Sequence, residues 1–167
     1  MVVKKAIFGA VLLAVLGAGV GFYLYWTGDR RQVAALLDKL PALIRKNAGA
    51  APHEGVLRYA MVDRVVTEPV RISAAYREMT LQRTLTRAET RSLLAMFHRQ
   101  VRSAELKLGA VEIRLAGAEA RFAFDGEVSA AFSGQSDTRV VHVTGTAVKQ
   151  DGRWLIRSIV AEPLVQK

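Results

Sequence analysis

The spacing of apolar residues changes three times along this chain. From Ala6 to Trp26 it has no period: 21 residues run without a charge, dominated by Ala, Val, Leu and Gly. At ~1.5 Å per residue a helix of that length reaches about 30 Å, the thickness of bilayer hydrocarbon, so one spanning helix is expected. Behind Asp29, a good N-cap, Val33, Leu36, Leu37, Leu40, Leu43 and Ile44 recur at helical spacing. Pro41 lacks an amide hydrogen and crowds the preceding turn, which predicts a kink or restart near Leu40, and Gly49 and Pro52 end the helix. Leu57, Met61 and Val65 suggest a second helix from Glu54 to Arg64, although Val62 to Val66 could equally begin a strand. Pro69 forbids a helix interior, so Val70 to Tyr76 reads as a short or edge strand. Thr86 and Glu89 then form a capping box, in which each side chain satisfies a free backbone donor of the first turn. In the helix that follows, Leu93, Leu94, Phe97 and Val101 line one face and Arg87, Arg91, His98 and Arg102 cluster on another.

From Val111 the period falls to two. Val111, Ile113 and Leu115 alternate with Glu112 and Arg114, and Gly117 marks a turn. Phe122, Phe124, Val128, Ala130 and Phe132 then share one face, with Arg121, Asp125, Glu127 and Ser129 on the other, the signature of a strand with one face buried and one wet. After the turn cluster Ser133 to Asp137, a third strand runs from Thr138 to Lys149. Asp151-Gly152 supplies the positive φ angles of a tight hairpin, and a fourth strand runs from Arg153 to Ala161. Helices first and an antiparallel meander last predict an α+β domain: a curved antiparallel sheet with helices packed on one face, over residues 29–167 behind an anchor at 1–28.

Charge and composition sharpen this picture. Lys4 and Lys5 are the sole charges before Asp29, so of 24 cations and 15 anions the remainder keeps 22 and 15, a net of +7. Lys4 and Lys5 on one side of the apolar run and Tyr23, Tyr25 and Trp26 on the other favour an N-terminus in the cytoplasm and a domain in the periplasm of a bacterium, held to the inner membrane by a single span. Arg30 and Arg31 offset part of that bias. A cleaved signal peptide, processed near Gly17, Ala18 and Gly19, is the competing reading. Gly17, Gly19 and Gly21 would allow close approach of a second span, a dimer face, or are simply tolerated composition. With no cysteine, a disulfide scaffold, a thiolate metal site and a Cys nucleophile are excluded.

Two stretches carry a family resemblance. Glu119-Ala120-Arg121-Phe122-Ala123-Phe124 looks like the first long strand, and Val148-Lys149-Gln150-Asp151-Gly152-Arg153-Trp154-Leu155-Ile156 like the closing hairpin, of the NTF2-like superfamily, the SnoaL and ketosteroid isomerase-like fold. The resemblance spans Val33 to Pro163 and implies a cone of bent strands around helices. That scaffold hosts enzymes, binding modules and structural parts alike, so it implies no activity by itself. Trp154 and Ile156 share a face and read as core, with ligand stacking as the alternative for Trp154.

The chemistry is sparse. Glu68-Pro69-Val70 resembles the Asp-Pro-Val in which ketosteroid isomerases hold their proton-shuttling carboxylate, so Glu68 is either a general base or a surface residue. The oxyanion donors of those isomerases have no counterpart: the comparable positions hold Leu43, Ile44 and Thr144. Tyr59, Glu68, Tyr76, His142 and Thr144 are the ligand-pocket candidates, and no catalytic residue is assigned. His53, His98 and His142 show no metal-binding spacing, so neither metal nor cofactor is expected. The cationic helix face would meet polyanions or anionic lipid, or simply water, while nucleic acid is disfavoured because no exposed aromatics are interleaved with the basic residues. The expectation is a membrane-anchored, extracytoplasmic binding or accessory domain, its partners the bilayer, a second copy or an envelope protein, and an apolar small ligand. The alternative is a small-molecule isomerase or dehydratase using Glu68 in the cone.

Overall fold

The computed structural model describes residues 28–49, 52–76 and 79–164. The chain divides into two compact units, Met1–Gln32 and Val33–Lys167, and the second holds the sheet and its helices. The apolar run 6–26 lies outside the described residues, and no helix among those described is long and apolar enough to cross a membrane.

Helical residues 28–37 form α1, so helix is already present at Gly28 and Asp29 is not its boundary. A turn at Asp38 separates α1 from α2, Lys39–Ile44, which carries Pro41 in its first turn. The break falls where the missing amide of Pro41 leaves the carbonyl four residues earlier without its helical donor. The helix α3 runs from Pro52 to Val62. Its Leu57, expected in the core, is 73% exposed; Met61 and Val62 turn inward instead, and Val65 is buried just beyond the helix. The helix α4, Arg87–Gln100, begins at the expected capping box, with Thr86 accepting from the Glu89 amide and Glu89 accepting from the Thr86 amide.

Six strands form one sheet: β1 Val66–Tyr76, β2 Met79–Leu85, β3 Ser103–Ala116, β4 Glu119–Phe132, β5 Gln135–Gln150 and β6 Arg153–Pro163, in the spatial order β2-β1-β6-β5-β4-β3. The sheet is mixed, which corrects the antiparallel expectation: β1 lies parallel to β6, with Val66 opposite Ile156 and Ile72 opposite Ile159. Pairing that joins an early strand to the last one is invisible to local alternation, which reports only which face is apolar. Two further departures have local causes. Between Leu108 and Val111 an irregularity shifts the β3 register, so the β3 alternation breaks there and only its second half declares itself. Strand β2 is an edge strand whose Leu81 is exposed and whose Leu85 is buried. The register also shifts between Val66 and Arg71 and between Thr146 and Ala147, and such shifts bend a sheet.

Cross-strand partners share a face, so register sorts the side chains. Val70, Leu85, Val111, Phe122, Phe124, Val143, Trp154 and Ile156 form the inner face and are packed against Leu36, Leu37, Leu43, Val62 and Val65. Helix α2 packs on β3 and α4 on β1 and β2, while α3 contacts α2 and α4. Phe122 sits directly opposite Gly145, where a Cβ would stand 2.4 Å from the Phe122 ring and from the Ser158 carbonyl. Only glycine lets that ring lie down over β5. Phe132, grouped with the buried phenylalanines by alternation, is 43% exposed; it ends β4 beside the exposed turn Ser133-Gly134. Asp151 and Gly152 both take positive φ, 49° and 76°, and close the β5–β6 hairpin as expected.

Candidate functional site

The inner layer, where the resemblance places a ligand, is occupied by side chains. Phe122 and Phe124 stack at 6.3 Å between ring centroids, both almost wholly buried, and Trp154 and Ile156 close the layer beside them. The five pocket candidates are not brought together. Tyr59 stands half-buried on α3 with its ring 6.0 Å from that of His98. Thr144 and His142 lie on β5 in the alternate register to Val143 and Gly145, which puts them on the outer face, away from the helices. Tyr76 ends β1, paired with Met79. Glu68 is exposed beside Pro69, in a depression of about 220 Å³ that also takes in Arg71, Thr84 and Arg157. Beneath it the buried Thr67 hydroxyl donates to the Pro69 carbonyl at 2.7 Å.

His98 does not belong to the expected cationic helix stripe. His98 is buried at the end of α4, where its Nε2 donates to the Ile44 carbonyl at 3.2 Å. Burial pushes its pKa below the usual imidazole value; the bond to Ile44 opposes that shift, and the cations of Arg58 and Lys46 add to it. Lys46 in turn donates to the His98 carbonyl and, at 2.6 Å, to that of Val101, satisfying carbonyls the end of α4 leaves open. This clip was not legible in the sequence, since its members lie more than fifty residues apart. The expected stripe is dispersed further: Arg87 donates to the Val66 carbonyl, and Arg91 reaches Asp63 at 3.4 Å.

On the outer face His142 Nδ1 meets Asp125 Oδ1 at 2.7 Å, with Glu162 opposite His142 on β6. The pair stands in water on an open face. Among the described residues no three His, Asp or Glu side chains converge as a metal site. Beside this pair a larger depression, about 430 Å³, opens over Arg114, Arg121, Ala123, Thr144, Thr146 and Ser158. Sequence alternation assigns Arg114 and Arg121 to the wet faces of their strands but cannot show that they meet. What this depression offers chemically is hydrogen-bond donors and positive charge, with the Glu112 carboxylate among its lining.

No family model matches the sequence, and no curated protein matches it either. Solved structures do. An NTF2-like protein with a cystatin-like fold from Novosphingobium aromaticivorans is similar over 89% of this chain and 90% of its own, at 17% identity and a TM-score of 0.68. A protein from Kribbella flavida matches at 13% identity over 84% and 94% of the two chains, with a TM-score of 0.72. A candidate scytalone dehydratase from N. aromaticivorans matches at 13% identity over 83% and 86%, with a TM-score of 0.64. At these identities the likeness concerns the backbone: helices on one face of a curved mixed sheet, from first strand to closing hairpin. The fold of this chain is the NTF2-like fold.

Proposed function

We propose that this protein is a non-catalytic binding or accessory domain, held to a bacterial inner membrane by residues 6–26 and facing the periplasm. The observation that carries the non-catalytic part is the filled inner layer: Phe122, Phe124 and Trp154 occupy it, and Glu68 lies outside it. A general base works within hydrogen-bond reach of the proton it takes, and Glu68 is exposed, outside the inner layer. Thr144, the position comparable to an oxyanion donor, is on the outer face with no enclosed substrate to polarise. The anchor rests on 21 uncharged residues flanked by Lys4 and Lys5 and by Tyr23, Tyr25 and Trp26. A second copy of the chain or an envelope protein is the partner such a placement favours.

The likeness to a candidate dehydratase, with Glu68-Pro69-Val70, favours a second reading: an isomerase or dehydratase using Glu68. One assay separates the two. Full-length protein in a non-ionic detergent is mixed with a β,γ-unsaturated ketone, and the ultraviolet absorbance of the conjugated enone is followed. We expect the buffer rate, identical for Glu68→Gln; a protein-dependent rate abolished by that change would establish the enzyme. For the anchor, full-length protein should stay with membranes through alkaline extraction and be digested only by protease on the periplasmic side. Release by alkali would remove it.

A further inference from the structure

The register lays out one row of side chains straight across the outer face: Arg114 on β3, Arg121 on β4, Thr146 on β5, Ser158 on β6, Arg71 on β1 and Thr84 on β2. Three guanidinium groups and three hydroxyls stand in it, and no acid. Arg114 and Arg121 are direct cross-strand partners, an arrangement in which like charges repel. The surroundings relieve this little. Arg114 has a contact with Glu112 at 3.9 Å, with both side chains at least three-quarters exposed, so water screens most of it. Glu119, one outer-face position along β4 from Arg121, is engaged by Arg157 at 2.7 Å.

The floor beside the two arginines is low because Ala123, Thr144, Thr146 and Ser158 are small, and this makes the depression of about 430 Å³. Thr146 Oγ1 and Ser158 Oγ are 2.7 Å apart, so one hydroxyl donates to the other. The accepting hydroxyl keeps its own proton to give elsewhere. The groove thus presents two planar five-donor forks, a spare hydroxyl donor and the exposed Thr144, with Glu112 alone opposing them at the rim.

We infer that this groove is a binding site for the phosphate group of a soluble phosphate monoester, clamped by Arg114 and Arg121 and seated on Thr146 and Ser158. A dianion offers what the two facing cations lack, and paired guanidinium forks match phosphate oxygens in geometry as well as charge. The depression of ~430 Å³ has room for a small phosphate monoester. The inference rests on reading the domain as a binder, and the two fail separately: enone turnover counts against that reading, indifference to phosphate against this one alone.

The test uses full-length protein in a non-ionic detergent, with glucose 6-phosphate as the probe titrated at constant ionic strength against chloride. Binding should saturate and raise the unfolding temperature. Arg121→Gln should weaken it about tenfold or more, the worth of one charge-assisted clamp. Because it also removes the like-charge contact, the same variant without ligand should unfold at the parental temperature or above, which a merely destabilised protein would not do. Arg99→Gln, on α4, should bind as the parent does. A thermal shift no larger than chloride gives, or full binding by Arg121→Gln, overturns the proposal. Binding to vesicles containing phosphatidic acid without any response to the sugar phosphate would place the anion on a membrane and overturn it too.

Discussion

His98 is the residue on which three parts of the helical layer close: its ring donates to Ile44 at the end of α2, its carbonyl accepts from Lys46 just beyond, and its ring faces that of Tyr59 on α3. Burial depresses its pKa, so folding favours the neutral ring. An unfolded histidine titrates near 6.5, so as pH falls past that value the unfolded chain takes up a proton that the folded chain refuses. The stability His98 contributes is therefore complete above about pH 6.5 and is lost as pH falls through its lower folded value. Thermal melts from pH 7.5 to 5.5 should show a falling unfolding temperature. His98→Gln, whose amide can donate without titrating, should flatten most of that slope, and a slope it leaves unchanged would assign the effect elsewhere. The sequence shows a histidine on a helix next to arginines. It cannot show that the ring turns away from them, because the partners that bury it come from α2 and α3.

Among elements, α4 was the most legible and β2 the least. The capping box is confined to four residues, so nothing distant is needed to read it. Thr86→Ala should cost about 1 kcal/mol, measured as a lower urea midpoint at pH 7, because it deletes the acceptor of the Glu89 amide. The Thr86 backbone and hydroxyl bonds hold the Glu89 carboxyl below its ordinary pKa. That stabilisation is present above the unfolded carboxylate value and fades as pH falls through the folded one. Thr86→Ala keeps the backbone bond and loses the hydroxyl one, so its acid sensitivity should be somewhat smaller than the parent's between pH 5 and 3, and equal sensitivity would show that the hydroxyl bond to Glu89 does not form. Strand β2, by contrast, is exposed from Leu81 to Thr84 and borrows its conformation from β1, so its pattern carries little of the signal that burial impresses on a sequence. The first half of β3 alternates correctly at Ala104, Leu106 and Leu108, but the register shift before Val111 changes the phase and hides the continuity.

At the scale of the molecule, the parallel pairing of β1 with β6 joins the early hairpin to the C-terminal meander. Ile156 is fully buried at this seam, facing Val66, and its amide donates to the Val65 carbonyl at 2.7 Å. Ile156→Ala should cost about 2–5 kcal/mol, and tryptophan fluorescence and circular dichroism should still report one coincident unfolding transition. Separate transitions would show that the hairpin and the meander fold apart. Much of this architecture was decided by the chain alone: which stretches are helix, that the last third alternates, that Asp151-Gly152 turns, and that Phe122, Phe124, Trp154 and Ile156 face inward. These follow from contacts a few residues long and from the preference of apolar surface to leave water. Only the tertiary structure decided that β1 runs beside β6, that Lys46 closes α4, and that Arg114 meets Arg121. Each depends on residues distant in sequence or on strand register, and periodicity fixes the face a side chain takes without fixing the neighbour it finds there.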